Sequence, residues 1–291
     1  DKVRSAMESL IEDYEHVLSR FRNDSLIATI GKAEHGGSFD FPDWCAPLFD
    51  LYDALFSATS GAIDPCVGED LIRLGYDASL SFTVTQDAPE HLGALRGRAV
   101  WGRDVTRHGT TLVTHEPMQL DFGACGKGYL VDLLGRMLQS SQFVIDAGGD
   151  LLIHAEQPIS VALEDPEDQS HAIGIAHIAN GALCASAPSR RHWNVAVNER
   201  TQIAIHHLLN AIDGLPAQQT EASWAYVPAN ATLNLARDYP TAVADGLATA
   251  LFVSDVAQLQ RTFDFTYATL DESRQIAVSR NFPADLFLRS A

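Results

Sequence analysis

Apolar and polar positions along this chain follow two periods. From Val3 to Phe21, the residues Val3, Met7, Leu10, Ile11, Tyr14, Val17, Leu18 and Phe21 recur near every 3.6 residues, which predicts an amphipathic helix ended by Asn23-Asp24-Ser25. A second helical stripe, Leu48, Leu51, Tyr52, Leu55 and Phe56, predicts a helix within Phe41–Thr59, with Pro47 near its start. A turn-rich stretch from Ser60 to Gly68 leads into a short helix over Glu69–Leu74. Strands are then predicted at Ser81–Thr85, Ala99–Arg103, Thr106–His108 and Thr110–Val113, followed by a helix over Gly126–Ser140. Short apolar or alternating runs predict strands at Ser141–Ala147, Leu151–Ala155, Ile159–Glu164, His171–His177, Ala182–Ala185, Ile203–Leu209, Ala222–Val227 and Asn230–Leu235. Thr241–Phe252 reads as a helix with small residues on one face. Strands at Thr262–Leu270 and Gln275–Ser279, and an edge strand at Leu286-Phe287-Leu288, close the chain. The pattern is that of a mixed α+β protein with many short strands joined by hairpins and turns. It contains no regular repeat and no low-complexity linker.

At 291 residues, the chain fits one large domain or two coupled ones. A formal net charge of −18 argues against general nucleic-acid binding, which needs Lys and Arg to neutralise phosphates. One phosphorylated ligand stays compatible, because a lysine, a helix N-terminus or a divalent metal can invert the field locally. The cysteines Cys45, Cys66, Cys125 and Cys184 are scattered, without a CxxC pair or zinc-site spacing, and suit small buried hydrophobes. No apolar run reaches the roughly 18 residues of a membrane span. The chain opens on Asp1-Lys2-Val3-Arg4, so the lack of a leader says little about its compartment.

Two glycine-rich turns dominate the candidate chemistry. Gly123-Ala124-Cys125-Gly126-Lys127-Gly128 lets the backbone approach an anion, and Lys127 offers a positive charge. Neither a P-loop nor a dinucleotide fingerprint is present, since Tyr129 follows Gly128. The same segment also serves as a plain strand-to-helix turn with a solvated lysine. About 20 residues on, Gly148-Gly149-Asp150 follows an apolar strand and reads either as a hairpin turn or as part of the same site. Asp245 and Thr249 are four apart, so a helix puts both oxygens on one face. That is a hard oxygen pair suited to magnesium, or else an Asp near a helix start with a core Thr. In a strand, His206 and His207 point to opposite faces, so one of them can address a pocket. Asp64-Pro65 suits an Asx-type turn, and Glu164-Asp165-Pro166 a strand terminator. Ser186 has no GxSxG elbow around it.

Taken in order, these segments resemble the ApbE family, the flavin transferases also called FAD:protein FMN transferases. Phe21-Arg22-Asn23-Asp24-Ser25-Leu26 is similar to its early aromatic-arginine…serine segment, and Gly61-Ala62-Ile63-Asp64-Pro65-Cys66-Val67-Gly68 to G-A-F-D-P-T-V-G. Leu120-Asp121-Phe122-Gly123-Ala124-Cys125-Gly126-Lys127-Gly128-Tyr129 with Asp132 resembles L-D-L-G-G-I-A-K-G-Y-x-x-D. Gly148-Gly149-Asp150, Glu164-Asp165-Pro166, His206-His207-Leu208-Leu209-Asn210…Gly214 and Ala244-Asp245-Gly246-Leu247-Ala248-Thr249-Ala250-Leu251-Phe252 resemble G-G-D, E-D-P, H-H-I-I-D-P-x-T-G and A-D-A-L-A-T-A-L-F. The resemblance implies an α+β, ApbE-like (T-fold-related) architecture over residues 1–291, as a single domain or two closely packed subdomains.

The resemblance also implies magnesium-dependent transfer of FMN from FAD to a threonine or serine hydroxyl of a target flavoprotein, with release of AMP. Metal ligands would be Asp245, Thr249 and the backbone carbonyl of Cys125. His207, Lys127 and Asp245 would act at the reacting phosphate. Asp64, Asp121, Gly123, Lys127, Gly128, Gly149, Asp150, Glu164, Asp165 and His207 would surround FAD. Relatives imply an extracytoplasmic address, with any membrane tether outside this chain. The chain departs from the pattern at Cys125-Gly126, at Ala185-Ser186-Ala187-Pro188-Ser189-Arg190-Arg191 (T-S-G-x-Y-E-R in the family) and at Asn210-Ala211 (Asp-Pro). Those departures leave two alternatives: an FAD-binding protein with lost or weak transfer, and an FAD pyrophosphatase giving FMN and AMP.

Overall fold

The computed structural model describes residues 2–198 and 201–287. The chain divides into two compact units, one of residues 2–123 with 191–217, the other of residues 124–190 with 218–291. The architecture is mixed α+β, as the patterning predicts. Among the described residues, no helix is long and apolar enough to cross a membrane.

In the first unit, the helix Ala46–Ala58 supplies the core, burying Leu48, Phe49, Leu51, Tyr52 and Leu55. Phe49 packs against Phe41, Trp101 and Phe122 at centroid separations of 5.1, 5.9 and 5.5 Å. The opening helix runs Lys2–Leu18 and buries only Tyr14 and Leu18, so its apolar stripe is largely solvated. Three short strands form an antiparallel sheet in the order Gly37–Asp40, Thr111–Thr114, Thr106–His108. His192–Asn198 and Thr201–His206 form a hairpin.

The predicted strand at Ser81–Thr85 is a loop. The Asp77 carboxylate accepts the Ser79 and Ser81 N–H groups at 2.8 and 3.1 Å, and Leu80 and Phe82 sit at φ 53° and 48°. These local bonds compete successfully with an extended conformation. The predicted strand at Ala99–Arg103 gives way to the short helix Trp101–Asp104, where Asp104 Oδ2 accepts the Val100 N–H at 2.8 Å.

The second unit is built on a seven-stranded antiparallel sheet. Its main path runs Ile276–Val278, Thr266–Asp271, Thr220–Pro228, Ala172–Ser186, Asp150–Glu164, Phe143–Asp146. Ala284–Leu286 pairs with Gly174–Ala176. Asp150–Glu164 and Ala172–Ser186 are single 15-residue strands, each predicted as two shorter ones. The first is continuous through Pro158 because the register shifts between His154 and Ile159, so the imide needs no ladder donor there. The second continues through Gly181 at φ 134°, where an added Cβ would lie 2.4 Å from the Val227 carbonyl oxygen. The predicted strand at Asn230–Leu235 is instead the start of a helix, Asn234–Asp238. Of the predicted edge strand Leu286-Phe287-Leu288, only Leu286 is in a strand, and Leu288 lies outside the described residues.

One face of this sheet carries Ile153, Leu163, Leu183, Trp224 and Leu270 in a buried apolar cluster. By period-two alternation, Asp150, Leu152, Ala182, Cys184 and Ser223 point the other way. Two helices, Gly126–Gly135 and Pro240–Ala250, cover that face. Cys184 Sγ donates to the Thr241 carbonyl at 3.5 Å and Ser223 Oγ to the Ala248 carbonyl at 2.6 Å. The second helix is buried along nearly its whole length, which its Ala and Gly positions allow.

Arg98, with no exposed side-chain surface, holds the first unit together through Asp70 (Nε–Oδ2, 2.8 Å), Asp64 (Nη1–Oδ2, 3.5 Å) and the Ala211 carbonyl (2.7 Å). Burial pushes the Asp70 carboxyl up to about 6 despite Arg98. A carboxyl raised above its unfolded pKa contributes stability that is present at acid pH and lost as pH rises through the folded value. Arg98→Met leaves both carboxyls without their cation. Urea midpoints should fall by an amount corresponding to roughly 3–5 kcal/mol at pH 8. At pH 5 the loss should be smaller, because protonated carboxyls need no counter-charge. Equal losses at the two pH values would contradict this account.

Candidate functional site

The second unit gathers Lys127, Gly128, Asp150, Asp245 and Thr249, which are spread over more than a hundred residues of sequence. The Gly126–Gly135 and Pro240–Ala250 helices touch at Gly128. A Cβ there would lie 2.4 Å from the Thr241 carbonyl oxygen and 2.8 Å from the Asp245 Cβ, so only glycine fits. The approach lets the Gly128 N–H donate to Asp245 Oδ2 at 2.9 Å. Asp245 is 4% exposed. Burial first, then repulsion from Asp150, push its carboxyl well above the usual range, with Lys127 and the Gly128 amide opposing.

The half-exposed ammonium of Lys127 is ion-paired with Asp150, whose side chain is fully buried at the start of its strand. Burial raises the Asp150 carboxyl and Lys127 pulls it back. Burial also works against the charged lysine, but Asp245 and Asp150 outweigh it and raise its pKa. Two carboxylates therefore share one ammonium, and the group can accept a further cation.

One helical turn beyond Asp245, the Thr249 hydroxyl donates to the Ala124 carbonyl at 3.4 Å. The carbonyl beside Thr249 thus lies one residue before the Cys125 carbonyl that the resemblance implied. The Cys125 carbonyl accepts the Tyr129 N–H at 3.0 Å as the opening bond of the helix, and the preceding carbonyl is the one at Thr249. Asp245 carboxylate, Thr249 hydroxyl and Ala124 carbonyl form an all-oxygen donor set, the chemistry that magnesium takes. Among the described residues, no group of three or more His, Cys, Asp or Glu side chains is placed to hold a metal. A metal here would rest on one carboxylate, neutral oxygens and its own remaining ligands. All four cysteines are buried and none is in a disulfide among the described residues.

Other expected residues in this unit have partners of their own. The Gly148 and Gly149 N–H groups donate to Asp146 Oδ1 at 2.9 and 3.3 Å, so this turn is closed by its own side chain rather than open to an anion. Glu164 accepts from Arg190 at 2.9 Å. Asp165 is held by both terminal nitrogens of Arg274, which lowers its pKa. Neither arginine could be paired with these acids from sequence, since Arg274 lies 109 residues from Asp165.

In the first unit, Asp121 accepts the Gly123 N–H at 2.6 Å and is ion-paired with Arg20. The Arg20 guanidinium lies 4.2 Å from the Phe21 ring centroid and 4.6 Å from that of Tyr76. Tyr76 and Trp193, both buried, stack at 5.9 Å, and the exposed Phe82 lies beside Trp193 at 5.4 Å. Asp64 is structural here: it accepts the Cys66 N–H at 2.8 Å and lies beside Arg98.

The two histidines differ. His206 Nε2 donates to the Ala217 carbonyl at 2.8 Å while its Nδ1 accepts the Leu208 N–H at 3.3 Å, so both ring nitrogens are used. His207 Nδ1 donates to the Arg191 carbonyl at 3.2 Å, which makes Nε2 the nitrogen that carries the lone pair when the ring is neutral. Burial is the main cause that pushes its pKa down to about 4.

The ApbE family model matches residues 2–269. A Treponema pallidum protein named FAD:protein FMN transferase is 27% identical over 286 residues, spanning 87% of this chain and 72% of that one. Among solved structures, the ApbE protein of Thermotoga maritima superposes with a TM-score of 0.77 at 20% identity, covering 97% of this chain and 92% of that one. The flavin transferase ApbE of Vibrio cholerae gives 0.75 at 18% identity, covering 97% and 89%. At such identities the structural likeness speaks for the fold. With the family model matched over nearly the whole length, the chain belongs to the ApbE family.

Proposed function

We propose that this protein transfers the FMN part of FAD to a hydroxyl of a target flavoprotein and releases AMP, with magnesium at Asp245, Thr249 and the Ala124 carbonyl. The observation that carries the reading is the all-oxygen set on one helix face beside the Lys127–Asp150 pair. The name of the Treponema pallidum relative supports the substrate and the transferred group. The hydroxyl oxygen attacks the FMN-side phosphorus, and the bond from that phosphorus to the AMP oxygen breaks. A bound magnesium would neutralise phosphate charge and stabilise the oxygens that gain charge during transfer.

The chain's own groups do the rest. Lys127 presents an ammonium that two carboxylates keep charged, suited to a pyrophosphate oxygen. The Gly128 amide holds Asp245 Oδ2, which orients the carboxylate for its remaining ligand. The proton of the incoming hydroxyl needs an acceptor, and the Nε2 of His207 has that chemistry. The exposed rings of Phe21 and Phe82, both packed against Tyr76, offer stacking area suited to a flavin ring.

The decisive assay incubates the protein with FAD and magnesium, with and without a threonine-bearing acceptor peptide, and measures AMP and covalent flavin. Acceptor-dependent AMP with flavinylated peptide is the expected result. AMP and free FMN without peptide would make the protein a pyrophosphatase, and FAD binding without either product would make it a flavin-binding protein. Chelation should abolish turnover and magnesium restore it. Asp245→Asn, which removes the only carboxylate of the oxygen set, should lower kcat at least about 10²-fold, the scale of losing one preorganised electrostatic group.

His207 gives a separate test. Its depressed pKa keeps it a proton acceptor well below pH 6.5, so the acid limb of kcat/KM, which reports the free enzyme, should lie well under the ordinary histidine value. His207→Gln should lower the rate by about 10²–10⁴ and remove that limb. An unchanged limb in the variant would take the role from His207.

A further inference from the structure

We propose that Asp132 is a positioning residue for the oxygen site: it sets the register of the helix that carries Asp245 and Thr249. This rests on the reading of that site as a magnesium site. The Pro240–Ala250 helix has no N-cap of its own, since Tyr239 occupies that position and makes no side-chain cap. Its first free amides are met from another helix. Asp132 Oδ1 accepts the Thr241 N–H at 3.1 Å and Oδ2 the Ala242 N–H at 2.8 Å. A carboxylate at a helix N-terminus also gains from the aligned peptide dipoles.

The second point of attachment lies one turn along each helix. Gly128 and Asp132 are four apart on one helix, and Thr241 and Asp245 four apart on the other, so each pair shares a face. Asp132 grips the level of Thr241, and the Gly128 amide grips Asp245 at 2.9 Å. Contact at Gly128 leaves no room for a Cβ against the Thr241 carbonyl, so the two helices are also fixed in depth.

The sheet holds this helix through Cys184 at the Thr241 carbonyl and Ser223 at the Ala248 carbonyl, and the two attachments to the neighbouring helix set the rotation of its Asp245 face. A rotation by one residue, about 100°, would turn the Asp245–Thr249 face away from the Ala124 carbonyl. Asp132 touches neither Thr249 nor Ala124 and needs no contact with a metal to matter. Its effect is to keep the Asp245–Thr249 face turned toward the Ala124 carbonyl.

The test measures Mn²⁺ alone as the probe, by electron paramagnetic resonance of the free ion, on wild-type protein, Asp132→Ala, Asp132→Asn and a core variant. Leu163→Ala, in the sheet core at the opposite end of its strand from Asp150, supplies a destabilised protein with the clamp intact. We expect Mn²⁺ affinity to fall at least tenfold in Asp132→Ala and less in Asp132→Asn, whose side-chain oxygen keeps one of the two bonds. Leu163→Ala should lose thermal stability and keep its affinity within twofold. If Asp132→Ala does not fold, the isosteric Asn variant carries the test, with a weakening of severalfold expected. Unchanged affinity in both Asp132 variants, or an equal loss in Leu163→Ala, overturns the positioning role. No Mn²⁺ binding by wild-type protein overturns the metal reading itself, a result distinct from the other two.

Discussion

A carboxylate taken out of water must be met by donors or by a cation, and that requirement organises both units. Among the described residues, the buried acids are Asp64, Asp70, Asp132, Asp150 and Asp245. Each joins segments far apart in sequence: Asp64 and Asp70 meet Arg98, Asp132 meets the start of the Pro240–Ala250 helix, Asp150 meets Lys127, and Asp245 meets the Gly128 amide. A buried charge left alone costs several kcal/mol or loses its ionisation. The native pairing of helices and strands is thus the arrangement that gives each of these acids a partner. The acids differ in what they leave unsatisfied. Asp132 has an N–H on each oxygen, whereas Asp150 and Asp245 share one ammonium, so the excess negative charge sits at the latter pair.

The fold was legible where local pattern and tertiary burial agree. The Ala46–Ala58 and Pro240–Ala250 helices follow from their apolar and small-residue stripes, and the mixed α+β class follows from the number of short alternating runs. It was illegible where a side chain closes the local backbone. Asp77 folds the Ser81–Thr85 segment back with hydrogen bonds that no hydrophobic period records. Pro158 and Gly181 look like breaks, yet sit where a bulge and a positive φ let long strands pass through.

The site divides along the same line. Side-chain spacing within one helix is a local property, and it put Asp245 and Thr249 on one face. Lys127 and Asp150 came from motifs whose meeting depends on the second unit folding. The Thr249–Ala124 contact was not legible because a backbone carbonyl has no residue type, nor were Arg20, Arg190 and Arg274, because their acids lie on other segments. Glu164 and Asp165 show the converse. Their motif is present, but arginines already neutralise both carboxylates, so the charge a sequence reading assigns to a ligand is spent within the protein.

The departures at Asn210-Ala211 have a physical answer of their own. Asn210 Oδ1 accepts the Ile212 N–H at 3.0 Å, the Asx-type bond that an aspartate would make in that turn, so the missing charge does not undo the local backbone. Ala211 donates its N–H to the Ala62 carbonyl at 3.0 Å, a bond that proline cannot make, and its own carbonyl accepts from Arg98 at 2.7 Å. The segment after His207 is therefore tied into the unit by hydrogen bonds where ring rigidity would otherwise restrict it. This holds the His207 backbone in place without the Asp-Pro pair, while the His207 ring is oriented separately by the Arg191 carbonyl. What the substitution removes is a negative charge, while the hydrogen bonds that shape the turn remain.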